Sequence, residues 1–530
     1  MSFRRLSALL GCSLALGACA SDTTLMPMHG SSHMNGTTNG QTTDNDGGMA
    51  DGGETYPLPS VVSVDATPGE FDSEVAPDTN PKDDVVEVDL EARVADVEIA
   101  PGHVLSMWTY NGQLPGPRIE AHVGDTVRVH FKNSLPEETT IHWHGVRVPN
   151  DMDGVPMMDD AIQPGSEFTY EFKVPDSGTF WYHPHVRSAE QVERGLYGAF
   201  VVRGDDEPKV TSEHTVVLDD VYVDDDWMPM DFDSMDDMMG RQGNVLLANG
   251  RAHPQMTLDA GGLHRFRFIN SATARYFRLA LPEHSLVQIG ADGGLFTKPA
   301  TQKELLLVPG QRADVLVQLT ADEQGTLEWQ DLDYDRGHHS GALGTSAIFD
   351  SKIGSASDAK APKLPSSLRS IAALGDASVS RRFELNEKMV MMPGTGTATG
   401  GHMHGGHTSS DLTATDTSGS DTTMMMMEFS INGEVYPDVT PVKAKLGDIE
   451  EWSVVNKTDM DHPFHVHGFR FQVVGSDGNL IPAWRDTVNV PANATIRIRL
   501  KLEDHPGMWM FHCHILEHAE GGMMGELLVE

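Results

Sequence analysis

The sequence predicts an all-β protein built from three related domains. Glycine and proline are plentiful, with 52 and 30 of the 530 residues, and segments with helical periodicity are scarce, which favours many short strands. Apolar and polar residues alternate in VVEVDLEARVADVEI and in DTVRVHF, as in strands that bury one face. A chain of this length suits about three domains of ordinary size.

One strand-turn-strand frame occurs three times along the chain. Each copy has an Asn-Gly turn, a later glycine turn and a strand that ends in asparagine, as in FRFIN and WSVVN. Three copies of one frame indicate three related β-domains, which we place at residues 85–205, 210–364 and 382–530. The middle copy has no histidine after its terminal asparagine, so we expect it to lack the ligands that the other two copies offer, and to act as a spacer or to shape the substrate entrance.

The N-terminal residues are predicted to precede the folded body. Arg4 and Arg5 come before an apolar run too short to span a bilayer, which predicts a signal peptide over residues 1–18 and export to the cell envelope or periplasm. Leu-Gly-Ala-Cys, ending at Cys19, resembles a bacterial lipobox and implies a lipid on Cys19; ordinary cleavage near that point is the alternative. Residues 19–84 are rich in Asp, Gly, Thr and Ser, which predicts a disordered tether.

Cys513 is the only cysteine beyond the predicted signal region. An unpaired thiol is a hazard in an oxidising compartment, and metal ligation explains its presence better than a buried structural role. It lies in His512-Cys513-His514-Ile515-Leu516-Glu517-His518, with Met523 five residues further on. Thiolate, imidazole and thioether together are the ligands of a blue-copper site. Because side chains alternate along a strand, Cys513 would face one way and its two histidine neighbours the other.

Three further histidine clusters accompany this motif. They read HWH at residues 142–144, HPH at 183–185 and HPFHVH at 462–467. An H-x-H pair on a strand places both imidazoles on one face, which makes half of a metal site. One such pair is a weak signal, but four clusters near the two ends of the folded body predict a multinuclear metal centre.

The four clusters resemble those of the multicopper oxidases, which include laccases, ascorbate oxidases and bacterial cuprous oxidases. The resemblance implies three cupredoxin domains, which are Greek-key β-barrels, and four copper ions: one type 1, one type 2 and a type 3 pair. By motif, the type 1 copper takes His462, Cys513, His518 and axial Met523. The type 2 copper takes His142 and His465, and the type 3 pair takes His144, His183, His185, His467, His512 and His514.

The resemblance also implies the reaction. A reducing substrate gives single electrons to the type 1 copper, and they pass through Cys513 to His512 and His514 while O2 is reduced to water. Asp153 matches an acidic residue that family members use to supply protons near the cluster. Many bacterial relatives carry glutamate where this chain has Ala519, so a second proton route at that position is not expected.

The electron donor is predicted to be Cu(I), which makes copper detoxification the expected role. The net charge of −40 argues against nucleic acid as a partner and suits cations. Methionines, whose thioethers select Cu(I), crowd an insertion at residues 389–427 and a second run at 228–239. Asp459 and Met460, just before His462, are a candidate site for substrate Cu(I). The alternatives are a laccase-like phenol oxidase and a copper-storing lipoprotein without turnover; we expect a monomer in each case.

Overall fold

The structure is a computed structural model that describes residues 59–69, 71–156, 161–337, 344–356, 362–393 and 423–530. The predicted signal peptide at residues 1–18, the lipid site at Cys19 and the predicted tether up to residue 58 lie outside the described residues, as does the middle of the Met-rich insertion. Among the described residues, no helix is long and apolar enough to cross a membrane.

Residues 59–84, where described, are not the disordered tether that their composition predicts. The short strand β1 (Thr67–Pro68) pairs in parallel with the second-domain strand Pro254–Leu258. Phe71 is buried in the core of the second domain and Ala76 in that of the first. A segment without a core of its own is therefore ordered by the domains beside it, and composition alone cannot reveal this.

The first domain stacks two four-stranded sheets, ordered β3-β2-β5-β7 and β4-β9-β8-β6. Its core includes Trp143 and Phe200, which come from the second of these sheets. A 3-10 helix at Asn150–Met152 and the helix α1 (Ser188–Glu193) connect strands. The strands are β2 (Val85–Ala100), β3 (His103–Tyr110), β4 (Gly116–His122), β5 (Thr126–Asn133), β6 (His142–His144), β7 (Glu167–Lys173), β8 (Gly178–His183) and β9 (Gly198–Arg203).

The second domain has a seven-stranded sheet, β12-β11-β10-β14-β19-β16-β17, and a six-stranded sheet, β1-β13-β21-β20-β15-β18. The helix α2 (Ser234–Met239) follows the first strand. The strands are β10 (Ser212–Val221), β11 (Val245–Ala248), β12 (Arg251–Ala252), β13 (Pro254–Leu258), β14 (Leu263–Asn270), β15 (Phe277–Ala280), β16 (Leu286–Ala291), β17 (Gly294–Gln302), β18 (Glu304–Leu307), β19 (Arg312–Gln318), β20 (Thr326–Leu332) and β21 (Ser346–Ile353).

The third domain has two five-stranded sheets, β23-β22-β25-β29-β27 and β24-β31-β30-β26-β28. The helix α3 (Leu516–Glu520) lies between its last two strands. The strands are β22 (Val379–Pro393), β23 (Thr423–Ile431), β24 (Val442–Ala444), β25 (Ile449–Asn456), β26 (His462–Val466), β27 (Phe471–Val473), β28 (Thr487–Val490), β29 (Thr495–Lys501), β30 (Gly507–Cys513) and β31 (Met524–Val529).

The ends of the predicted Met-rich insertion are part of this sheet. Strands β22 and β23 form an antiparallel ladder that pairs Met389 with Met427 and Pro393 with Thr423. Both ends of the predicted insertion at residues 389–427 are therefore strands, because the backbone hydrogen bonds of the hairpin do not require a core-forming composition.

The threefold repeat appears in the structure as one asparagine contact made three times. Asn133, Asn270 and Asn456 are buried, and each side-chain oxygen accepts the backbone N–H two residues further on. Each side-chain amide donates to backbone carbonyls of the following connection. Buried polar groups need such partners, so each asparagine holds the loop that follows its strand. The prediction of an all-β chain with three related domains is confirmed.

Candidate metal centres

The first candidate centre lies inside the third domain, where strands β26 and β30 pair Phe464 with Cys513. Cys513 Sγ is 3.4 Å from His462 Nδ1 and 3.8 Å from His518 Nδ1, and the two nitrogens are 3.3 Å apart. A triangle with these sides has its centre about 2 Å from each atom, which is the length of a metal–nitrogen bond. Met523 is also fully buried, and its backbone oxygen accepts from the Cys513 N–H.

The surroundings of these three atoms suit a soft metal ion. Burial raises the pKa of the Cys513 thiol, so metal binding must displace a proton to create the thiolate. Thr458 Oγ1 lies 2.8 Å from His462 Nε2 and leaves Nδ1 facing the sulfur. The Phe429 ring of β23 stacks on His518 with the centroids 4.2 Å apart. The donor set and its burial fit a type 1 copper.

The second candidate centre is a ring of eight histidines between the first and third domains. Strands β6 and β8 pair His142 with His183, and strands β26 and β30 pair His465 with His512. Trp143 and Cys513 face their domain cores, so the histidines on either side of each point away from those cores. Alternation along the strands therefore gathers these side chains in one place, as the H-x-H spacing predicts.

The ring nitrogens form overlapping groups of possible ligands. His467 Nε2 lies 3.0 Å from His512 Nε2, which lies 3.5 Å from His185 Nε2. His144 and His514 are close on the other side, with ring centroids 4.9 Å apart. Groups with ligand atoms within 4.8 Å of one another are His142/His465/His467, His142/His144/His183 and His185/His467/His512.

The hydrogen bonding of the ring fits metal ions. Five histidines have a buried ring nitrogen without a hydrogen-bond partner among the described residues: His142, His144, His183, His465 and His514. For His142, His183 and His465, a carbonyl oxygen at 2.9–3.0 Å accepts from Nδ1–H, which leaves the Nε2 lone pair toward the ring. Burial holds the pKa of His144, His183, His467, His512 and His514 well below the ordinary value, so their imidazoles are neutral. A neutral imidazole with an unused lone pair is the form of histidine that binds a metal ion.

Three carboxylate or hydroxyl residues hold the ring from outside. Asp153, singled out in the sequence, accepts from His467 Nδ1 at 2.9 Å through its carboxylate and from His142 Nδ1 through its backbone oxygen. Asp486 and Thr487 lie beside His144 and His465. These two residues belong to no histidine motif, so the sequence patterns do not single them out.

The predicted substrate pair Asp459 and Met460 is not a site that faces solvent. Asp459 is exposed, but Met460 is 0% exposed and packs in the core of the third domain. The Met460 thioether does not face solvent in this structure, and its role in binding substrate Cu(I) stays a prediction. Its closeness to His462 in sequence does not reveal which way the side chain points.

The Met-rich run of the second domain lies beside the first candidate centre. Helix α2 packs against both α3, which carries His518, and β23. The Arg241 N–H donates to Glu517 Oε1 at 2.8 Å, and Glu517 directly precedes His518. In the loop before α2, the side chains of Met228 and Met230 are 61% and 42% exposed.

Replacement of Glu517 with glutamine is expected to make stability less dependent on pH. Burial raises the pKa of Glu517 from 4.5 to about 8 although the Arg241 N–H opposes this, so folding favours the neutral acid. Its contribution is complete below pH 4.5 and declines by about 1.4 kcal/mol per unit as the pH rises towards 8. In denaturant unfolding between pH 5 and 8, the free energy of unfolding of Glu517→Gln minus that of the wild type should increase with pH by about that slope. A constant difference would contradict it.

The chain matches the multicopper oxidase family over residues 92–207, 212–326 and 407–530. It is 31% identical over 461 residues to multicopper oxidase MmcO from Mycobacterium tuberculosis, with 80% of this chain and 84% of the relative covered. A multicopper oxidase structure from Campylobacter jejuni, described as a metallo-oxidase, is 30% identical with a TM-score of 0.73, covering 90% of this chain and 99% of that one. A laccase structure from Pediococcus acidilactici is 27% identical with a TM-score of 0.72, covering 91% and 96%. With three cupredoxin domains and these histidine clusters, the chain belongs to the multicopper oxidase family, which are copper oxidoreductases that reduce O2.

Proposed function

We propose that this oxidase takes its electrons from Cu(I) and serves copper detoxification in the cell envelope. The observation that carries the proposal is the exposed Met and Asp loop at residues 224–233, which leads into a helix packed against the helix that bears His518. Thioethers select Cu(I), and carboxylates attract a cation to the same surface.

We assign the ligands as the motifs and the geometry together favour. The type 1 copper is held by His462, Cys513, His518 and Met523, and the type 2 copper by His142 and His465. The type 3 pair is held by His144, His183, His185, His467, His512 and His514. Bound copper supplies one-electron redox chemistry at the first centre and the four-electron reduction of O2 to water at the second.

The chain connects the two centres through one strand end. Cys513 faces the core of the third domain, while His512 and His514 face the histidine ring. A covalent path of a few bonds therefore joins the thiolate to both imidazoles. Asp153 holds a carboxylate oxygen, Oδ1, without a hydrogen-bond partner among the described residues, and this atom is placed to take up and release a proton beside His142.

A phenol oxidase is the second candidate, and the relatives include both a metallo-oxidase and a laccase by description. His462, Cys513 and His518 are fully buried, and Phe429 covers one face of His518. These features favour a small metal ion over a bulky aromatic donor. A copper store without turnover does not fit an oxidase.

The test is O2 consumption by copper-loaded protein with Cu(I) and with a bulky phenol, in wild type and in the double variant Met228→Leu/Met230→Leu. Leucine keeps the apolar volume and removes the thioether, so kcat/KM for Cu(I) should fall about tenfold, the effect of losing about 1.4 kcal/mol of binding. Turnover of the phenol should not change. Val104→Ala, at an exposed site in the first domain, is the control and should alter neither. Equal losses with both donors, or none, would contradict the proposal.

A further inference from the structure

The second domain, which carries none of the assigned ligands, reaches the histidine ring through the loop before β19. Gly310 in this loop has a φ of +81°. A Cβ atom at this position would lie 2.8 Å from His514 Cδ2 and 2.9 Å from His514 Nε2. The loop therefore forms part of the wall of the histidine ring, the site of the type 2 and type 3 coppers, which we call the trinuclear centre. Only glycine at this position leaves room for the imidazole.

Arg312, two residues further on, is fully buried, and all five of its side-chain N–H groups have an acceptor. Nε donates to the backbone oxygen of Thr179, in the first domain, at 3.0 Å. In the second domain, one N–H of Nη1 donates to the Gly310 carbonyl at 2.8 Å, and one N–H of Nη2 donates to the Asp292 carbonyl at 3.2 Å. The other two donate to both carboxylate oxygens of Asp486, in the third domain, at 2.8 and 2.5 Å. One side chain thus joins all three domains.

Asp486 passes this contact on to two assigned ligands. Its Oδ1 accepts from His144 Nε2 at 3.2 Å, and its backbone oxygen accepts from His465 Nδ1 at 3.0 Å. These bonds place the proton of each ring on the outer nitrogen. His144 Nδ1 and His465 Nε2 have no hydrogen-bond partner within the described part of the chain, and these are the nitrogens available to copper.

Gly145, directly after His144, shows how closely this ion pair is enclosed. Its φ is +85°, and a Cβ there would lie 2.3 Å from Arg312 Nη2 and 2.5 Å from Asp486 Oδ2. The close approach of this ion pair therefore explains why a glycine directly follows the HWH cluster. Any side chain at this position would separate the guanidinium from the carboxylate.

We propose that Arg312 is a positioning residue for the trinuclear centre, and that through Asp486 it sets the ring orientation and the protonated nitrogen of His144 and His465. The proposal rests on the ligand assignment made above. Without the guanidinium, Asp486 would lose the two hydrogen bonds that fix its carboxylate and would be a buried charge with no cation, so the residue would move. This movement displaces both the carboxylate oxygen that accepts from His144 and the backbone oxygen that accepts from His465. The second domain then completes the site and is not only a spacer.

The test compares full-length, copper-loaded Arg312→Met and Arg312→Lys with the wild type. Methionine approximates the length without the charge, and lysine keeps the charge without the two-pronged hydrogen bonding. The readouts are copper per chain after a chelator challenge, the EPR spectrum of the type 2 copper and the blue absorption of the type 1 copper. Type 2 copper should be held roughly 10- to 100-fold more weakly in Arg312→Met, as for other residues that orient metal ligands. Arg312→Lys should fall between, with the blue absorption unchanged in both.

Arg267→Met is the matched control, because Arg267 is a fully buried second-domain arginine with ion pairs to Glu207, Glu213 and Asp314. It should lose stability and keep a normal type 2 spectrum. If Arg312→Met behaves like this control, the proposal is overturned. If Arg312→Met does not fold, Arg312→Lys decides: a shifted type 2 spectrum supports the proposal and a normal one overturns it. A wild-type chain without type 2 copper would overturn the ligand assignment and the proposal together.

Discussion

Cys513→Ser is expected to remove the type 1 copper and to abolish turnover with every electron donor. In the part of the chain that the structure describes, Cys513 supplies the only thiolate near His462 and His518, and a hydroxyl is a poor ligand for a soft metal. It is also the covalent connection between the first centre and His512 and His514. Serine has nearly the same shape and can still accept the Ile515 N–H that now lies 3.4 Å from the sulfur, so the fold should persist.

The measurement is copper per chain together with visible absorption and O2 uptake. The variant should bind one copper fewer, lose the blue absorption and consume O2 at the uncatalysed rate with either Cu(I) or a phenol. Met523→Leu is the control: it removes the thioether and keeps the thiolate, so the blue absorption should remain. A blue Cys513→Ser protein would show that the sulfur is not a ligand.

Asp153→Asn is expected to slow the reduction of O2 by roughly 100-fold, within the range for removal of a group that transfers protons. The carboxylate is buried, and its Oδ2 accepts from His467 Nδ1 at 2.9 Å. Oδ1 lies 3.4 Å from His142 Nδ1 and accepts no hydrogen bond among the described residues. Asparagine keeps the size and one acceptor oxygen, but it cannot take up and release a proton at this place.

Stopped-flow absorption can separate the two half-reactions of this variant. Bleaching of the blue absorption by the donor without O2 should proceed at the wild-type rate, and its return on mixing with O2 should be slow. Asp151→Asn, at an exposed residue of the 3-10 helix that ends just before Asp153, should match the wild type in both steps. Slow bleaching in Asp153→Asn would mean that the variant disturbs the first centre, and the proton role would then be wrong.

Most of the candidate site could be predicted because its ligands lie in short motifs. The period-two geometry of a strand is enough to place His142 beside His144, and to point Cys513 away from His512. The ion pair between Arg312 and Asp486 could not be predicted in this way. Arg312 and Asp486 are 174 residues apart and lie in different domains, so nothing local connects them. Only the packing of the three domains brings them together.

The fold shows the same division between local and non-local information. Alternating strands and the repeated asparagine predict three β-domains, since both patterns are local. The order of residues 59–69 and 71–84 depends on the neighbouring domains, and the burial of Met460 depends on the core of the third domain. Composition describes a segment by itself, so it predicts a tether where two domains hold the chain. The position of Met460 just before His462 likewise does not show that a core encloses its side chain.

The most direct measurement is the ratio of Cu(I) oxidised to O2 consumed by purified, copper-loaded protein, with an assay for hydrogen peroxide in the same vessel. A Cu(I) oxidase with a complete trinuclear centre should oxidise four Cu(I) for each O2, form no peroxide, and do so faster than it oxidises a bulky phenol. O2 uptake with the phenol and none above background with Cu(I) would contradict the proposal that copper is the donor.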